Sequence, residues 1–440
     1  MLRQIGWELK KLAARKAQWA VLAVGIVFAV FYILTCAQVP TQENSSVRDD
    51  RLPETLTLYD TLQGMTVEEF SAQMGELAPS MKRDETGRFT LEPPNPEREL
   101  SLEEQIEWNN AFYSTPEFPT MQVLMNDLNH LLSMQEEREQ RIEKNRQELK
   151  TLRSDGKADT FEARRLQKEI EELSTLPQPR IYRNADHSLS PLYGLTGTNF
   201  GSTPLLAIIT SFLIVFVVAG LYPQEYRGDM DNLLLTTKQG QRVPAAKLWT
   251  AVIASAFLCV FIQGVYFAVY SCYYRVDWSL PVSSIVGTKH AAFDVTSGTV
   301  GQVFLMLFGM YLLGGVVLGL FTLWLSSLSS YSVFALGGGI LLLLLPYGMW
   351  NLSDGVMDWI KALLLPSLQS PAELNLWFTK YLNVLGYPIP APAIMTAVGL
   401  LALLLLLFLP TRTFLHRAGN RKQKEKGDKR NAQTGAVGAA

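Results

Sequence analysis

Six runs of this sequence, 17–39, 204–222, 248–272, 300–325, 331–350 and 391–409, are nearly free of charge and long enough to cross hydrocarbon. The first is separated from the other five by the polar, charge-rich residues 43–190. No ordinary soluble core needs so many apolar runs. The pattern therefore predicts a mainly α protein: a polytopic six-helix transmembrane bundle with one large domain inserted between its first and second spans. The average composition, 48% hydrophobic and 18% charged, mixes these two materials and describes neither.

Charge bias sets the orientation. Arg3, Lys10, Lys11, Arg15 and Lys16 precede the first span, and Arg412, Arg417, Arg421, Lys422, Lys424, Lys426, Lys429 and Arg430 follow the last. An even number of spans returns both ends to one side, and the positive-inside rule makes that side cytoplasmic. The expected location is the cell membrane, multi-pass, with 40–202 outside, the loop 223–247 inside and a basic cytoplasmic tail at 411–440. The opening run exceeds a signal-peptide core and lacks a clear small-x-small cleavage site, so it reads as a retained span. Residues 1–16 read as an amphipathic interfacial helix, with Ile5, Leu9 and Leu12 set against Lys10, Lys11, Arg15 and Lys16.

Within the polar insert, Leu124, Leu128, Leu131, Ile142, Leu149 and Leu152 fall largely on three-and-four spacing in a Glu/Arg/Lys-rich background. A turn signal at Ser154-Asp155-Gly156 follows, then Leu166, Ile170 and Leu173, and the pattern stops at Pro177. These features predict an antiparallel coiled-coil hairpin over about 121–176. Residues 43–120, with a loop at Pro93-Pro94-Asn95-Pro96, carry no pattern that specifies a fold. In 351–390, Trp359, Ile360, Leu363 and Leu364 stand at helical spacing, which suits either a short interfacial or re-entrant helix or an outer loop packed on the bundle.

The chemistry-bearing residues are sparse. No span carries an ionisable side chain at its centre, although carriers coupled to proton or sodium gradients generally need one there. Gln263 is the notable polar residue of the third span and reads as an interhelical hydrogen-bonding group. The histidines His130, His187, His290 and His416 are scattered outside any metal-ligand pattern, and no P-loop motif is present. No basic stripe with interleaved aromatics points to nucleic acid. Cys36, Cys259 and Cys272 read as unpaired thiols, with a Cys36–Cys272 disulfide as the alternative. Gly315 and Gly319, in a G-x-x-x-G spacing, read as a site of close helix packing or as a place where helices shift.

The loop 223–247 is the most informative polar stretch. Glu225-Tyr226-Arg227-Gly228-Asp229 is followed by Leu233-Leu234-Leu235, Thr236-Thr237, the turn Gln239-Gly240-Gln241-Arg242, and Lys247 at the start of the third span. In this order the loop resembles that of the permease subunits of type-2 ABC exporters, which have six spans, both termini inside and a basic amphipathic helix ahead of the first span. The resemblance covers the six-span plan and this loop but not 43–190.

The resemblance implies a transporter membrane subunit that is not itself an enzyme. No cofactor is expected in this chain; ATP and Mg would be held by a separate ATP-binding subunit. That subunit would be contacted through Glu225, Arg227, Gly228, Asp229, Leu233, Leu234, Thr236, Thr237, Gly240, Arg242 and Lys247. The other implied partners are a second permease copy or sibling, membrane lipid, and an amphipathic peptide or lipophilic substrate, with no nucleic acid. Two alternatives stay open: a mechanotransmitting subunit that regulates an extracellular cell-wall enzyme or sensor, and a sodium extruder of the same family.

Overall fold

A computed structural model describes residues 2–14, 16–43, 60–92, 101–115, 118–182, 205–227, 242–273, 276–284, 298–349, 355–369 and 380–437. The chain is mainly helical, and three of its helices are long and apolar enough to cross a membrane: Val243–Val269, Val300–Leu328 and Ala391–His416. Trp19–Ile33, Leu205–Val218 and Ser332–Gly348 are shorter apolar helices. These segments lie in α2 (Lys16–Glu43), α7 (Leu205–Val218), α9 (Val243–Tyr273), α10 (Val300–Leu328), α11 (Ser332–Gly348) and α13 (Ala391–Val437).

Helix α10 is the axis of this bundle. Of its most apolar window 56% is buried, against 33% for the window in α9 and 22% for that in α13, and α10 packs on α7, α9, α11 and α13. It starts on a capping box in which Thr299 and Gln302 satisfy each other's backbone N–H groups. The surrounding helices turn large apolar side chains outward, among them Phe257, Leu341, Leu404 and Phe408. So much apolar surface around a bundle suits hydrocarbon as its surroundings.

Glycines let α10 approach its neighbours. A Cβ at Gly315 would strike Cys259 Sγ, and one at Gly319 would strike Ser255 Oγ, both from α9. Ser255 and Cys259 share the four-residue spacing of the two glycines, so the helices meet small side to small side.

The polar insert has its own core. Helix α3 (Val67–Leu77) opens on a Thr66/Glu69 capping box and leads into the antiparallel pair β1 (Met81–Arg83) and β2 (Phe89–Leu91), with Gly87 in the turn at φ 81°. Phe70, Met81 and Phe89 pack on Leu124, Leu128 and Leu131 of α5 (Phe118–Ser154). Asn129 fixes this docking by accepting from Phe89 N and donating to Phe89 O, at 2.7 and 2.8 Å. Helix α4 (Leu102–Tyr113) precedes α5.

Beyond Ser154 the chain turns at Gly156 (φ 70°) into α6 (Phe161–Thr175), which returns along α5. Leu149, Ala163 and Leu166 are buried between the two helices, with Leu152 and Ile170 beside them, and Arg141 pairs with Glu169 at 2.6 Å.

Residues 355–369 and 380–390 differ from the sequence expectation. Helix α12 (Gly355–Leu363) is present, but Asp358, Lys361 and Ala362 are its buried face, while Trp359, Ile360 and Leu364 are half-buried and Leu363 is exposed. Lys361 Nζ lies 3.2 Å from Asp358 Oδ1, and Lys380 Nζ lies 2.7 Å from Asp358 Oδ2. Burying this face is affordable only because the opposite charges meet inside it. A buried 3-10 turn, Leu365–Gln369, follows α12. An unforeseen antiparallel pair, β3 (Tyr381–Val384) and β4 (Tyr387–Pro390), then runs directly into α13.

Candidate coupling site

The two ends of the 223–247 loop are held at one end of the bundle. Helix α7 stops at Val218, the chain turns, and a short helix α8 (Pro223–Arg227) starts with proline at its first position, where a missing N–H is harmless. This turn buries Tyr222, Glu225 and Tyr226. Tyr222 and Tyr226 stack on each other and on Phe414 of α13, and Tyr226 Oη donates to Ser327 O at the end of α10 at 2.9 Å. The exit from α7 is thereby fastened to α10 and α13 together.

Lys247, in the second turn of α9, reaches the same place. Its ammonium is 1% exposed and donates to Leu221 O at 2.8 Å, Glu8 Oε2 at 2.9 Å and Glu225 Oε1 at 3.1 Å. All three of its protons therefore have acceptors. Glu8 comes from α1 (Leu2–Ala13), as does Lys11, whose Nζ lies 3.0 Å from Glu225 Oε1 and 3.1 Å from Glu8 Oε1. Two carboxylates and two ammonium groups thus alternate around one small cluster, with no net charge. The ring of Tyr222 lies beside it, its centroid 5.7 Å from Lys247 Nζ.

The electrostatics follow from this alternation. Burial acts to raise the Glu225 carboxyl, but the charges of Lys247 and Lys11 and their hydrogen bonds outweigh it and hold Glu225 below its ordinary value. Burial likewise acts to lower Lys11, but Glu225 and Glu8 outweigh it and raise Lys11 above its ordinary value. Glu225 and Lys11 are thus each favoured in the charged form by the groups around them. Chemically, the arrangement is a lock that joins three segments remote in sequence.

Of the residues singled out in the sequence, Glu225 and Lys247 are brought together. Arg227 closes α8, and Arg242 is exposed just ahead of α9. Gly228, Asp229, Leu233, Leu234, Thr236, Thr237 and Gly240 lie outside the described residues. So do the side chains of Cys36 and Cys272, whereas Cys259 is a buried free thiol. Gln263 is buried next to Tyr311, whose hydroxyl donates to Thr210 Oγ1 at 2.7 Å. Among the described residues no three His, Cys, Asp or Glu side chains gather as metal ligands would.

The expected stripe of Ile5, Leu9 and Leu12 is the inward side of the lead helix, but it carries Glu8 with it, and Lys11 is not on the solvated side as expected. Ile5 and Glu8 are buried with Leu12 partly so, and Lys11 turns inward with them, whereas Leu2, Arg3, Trp7 and Lys10 face out. A signal for this existed. Glu8 is the sole acidic residue of 1–16 and lies on the Ile5–Leu12 stripe at three-and-four spacing, with Lys11 three residues on.

Compared with known proteins, the chain matches no family model, no curated protein and no solved structure.

Proposed function

We propose that this chain is the membrane-spanning permease subunit of an ATP-driven ABC exporter of the type-2 class, powered by a separate ATP-binding subunit. It works in the cell membrane with a second copy or sibling and moves an amphipathic peptide or lipophilic compound outward. One observation carries the reading: Glu225 and Lys247, the two ends of the loop that resembles the family's coupling loop, are locked by buried charges to the lead helix. A loop that only connected two spans would gain nothing from burying Glu8, Glu225 and Lys247 together. A loop that takes a push from a partner must have its ends rigidly fixed to the helices it moves.

In this reading α2, α7, α9, α10, α11 and α13 are the six spans, the lock faces the cytoplasm, and α5 and α6 form an antiparallel coiled-coil hairpin outside. The three shorter apolar helices support the six-span plan alongside the three long ones. An apolar groove of about 690 Å³ between α2, α7 and α11, lined by residues such as Val24, Phe28, Phe212 and Leu344, supports a lipophilic cargo. The mechanotransmitting alternative is supported by a separate observation, the contact of α6 with β3 and β4.

The test is purification of the tagged full chain, in mild detergent, from cells in which it is native. The expected preparation contains an ATP-binding subunit in a one-to-one ratio and hydrolyses ATP. A chain that purifies without any nucleotide-binding partner would overturn the proposal. Transport of a lipophilic dye by the reconstituted complex would favour export, and ATP-dependent movement of the α5–α6 pair without transport would favour the mechanical alternative.

A further inference from the structure

Two stretches, 355–369 and 380–390, carry contacts from the interior of the bundle to the distal helix of the polar insert. At the inner end, Leu368 and Gln369 lie against the glycines of the bundle: a Cβ on Gly314 would meet both at 2.9 Å, and Gly399 of α13 faces Leu368. The hydroxyl of Ser211 in α7 donates to Gln369 Oε1. Gln369 is 1% exposed, and its amide also lies over Gly315. The 3-10 turn is therefore a wedge seated where α7, α10 and α13 meet.

From that wedge outward the contacts form one block. Leu368, Ala362 of α12, Leu382 of β3, Met310 of α10, and Ala391 and Met395 of α13 share a single small core. Lys380, at the foot of β3, pairs with the buried Asp358 and accepts a backbone bond from Ala391 N at 2.8 Å.

At the outer end β3 and β4 run alongside α6 from its C-terminal half toward its start. Tyr381 Oη donates to Glu172, Lys168 Nζ to Pro388 O at 3.4 Å, and Arg164 Nη1 to Gly386 O at 3.3 Å. The Arg164 guanidinium also lies 4.7 Å from the centroid of the Tyr387 ring. The turn between the strands puts Leu385 at φ 52° and Gly386 at φ 89°, the two positive φ values of a tight hairpin turn.

We propose that the described stretches 355–369 and 380–390 act as a rocker: seating of the Gln369 wedge among α7, α10 and α13 sets the position and stability of α6 through the shared core and the β3–β4 arm. A wedge that shifts in the bundle must tilt the arm, because the two share one core. By linkage, force or a ligand acting on the α5–α6 pair biases the wedge in return. The inference stands on these contacts and does not depend on the identity of any partner.

Hydrogen exchange on the full chain in lipid nanodiscs tests it. In Gln369→Ala, amides of Phe161–Thr175 are expected to exchange about 5-fold faster or more, the lower end of ordinary coupling between sites. Amides of α9 should stay unchanged. The acceleration should disappear when Arg164→Ala, Lys168→Ala and Tyr381→Phe together have already detached the arm. Ser211→Ala, which removes only a hydroxyl, serves as a second and milder variant should Gln369→Ala not fold. Unchanged α6 exchange in the wedge variant, equal acceleration throughout the bundle, or an effect of full size in the detached background would each overturn the proposal.

Discussion

Lys247 is the residue on which the charge lock depends, because it alone donates to both carboxylates and to the end of α7. Lys247→Met leaves Glu8 and Glu225 buried with a single counter-charge. Breaking a buried ion pair from one side costs about 3–5 kcal/mol. The unfolding midpoint in mixed micelles should therefore fall well below that of the native chain. Glu225→Gln keeps an acceptor and loses the charge, so its loss should be smaller, about 1–3 kcal/mol.

The pH dependence follows from the two shifts. Glu225 is held below its ordinary 4.5, so its contribution is complete above that value and is lost as pH falls through the folded pKa. Lys11 is raised above its ordinary 10.5, so its contribution is complete below that value and is lost as pH rises through the folded pKa. The contributions of Glu225 and Lys11 should therefore be insensitive to pH from about 5 to 10. A stability transition near neutral pH that vanishes in Glu225→Gln would contradict this. Half of this site was legible in the sequence: Glu225 and Lys247 stand at the ends of a recognisable loop. The other half was missed because Glu8, although it lies on the Ile5–Leu12 stripe, and Lys11 find their partners Lys247 and Glu225 in segments remote in sequence.

Among elements, α10 makes the most specific prediction, since its glycines differ in what surrounds them. A Cβ at Gly315 meets Cys259, whereas one at Gly309 meets nothing within 4 Å. Gly315→Ala should therefore destabilise the bundle by about 1–3 kcal/mol. Gly309→Ala should stabilise it by about 0.5–1 kcal/mol through helix propensity alone. Comparing unfolding of the two variants separates close packing from composition; equal effects would deny α10 its tight seam with α9.

The apolar helices, the turn after Ser154 and the stop before Pro177 were all readable from hydrophobic period and turn residues. The β3–β4 pair was not, because Leu385-Gly386 lacks the usual Asn-Gly or Asp-Gly signature and its prolines at 388 and 390 argue against a strand. Those prolines fit because β4 is an edge strand, with no third strand paired to it among the described residues. The inverted face of α12 was hidden for another reason. Its apolar stripe suits an interfacial or re-entrant helix or a loop packed on the bundle, whereas the buried Asp358 pairs with Lys361 and with Lys380, which comes from a later element.

For the molecule as a whole, the lock and the β3–β4 arm lie at opposite ends of the bundle, and α7, α10 and α13 run between them. Helix α13 carries Phe414 at the lock and Ala391 at the arm. A push on the loop thus has a continuous packed route to α6. The proposed topology predicts opposite labelling at the two ends, measured on chains from which the native cysteines have been removed. Asp155→Cys should react with a membrane-impermeant maleimide in intact cells, and Arg242→Cys should react only after permeabilisation. Reaction of both in intact cells would refute the single span, α7, assigned between them, and with it the assigned sides.

The most direct measurement of the central claim is ATP hydrolysis by the native complex in lipid vesicles, compared between the unaltered chain and Lys247→Met. The account predicts that the variant still inserts but captures its ATP-binding subunit poorly, or hydrolyses ATP without the response to substrate that the native complex shows. Equal capture and equal coupling in the two preparations would contradict it.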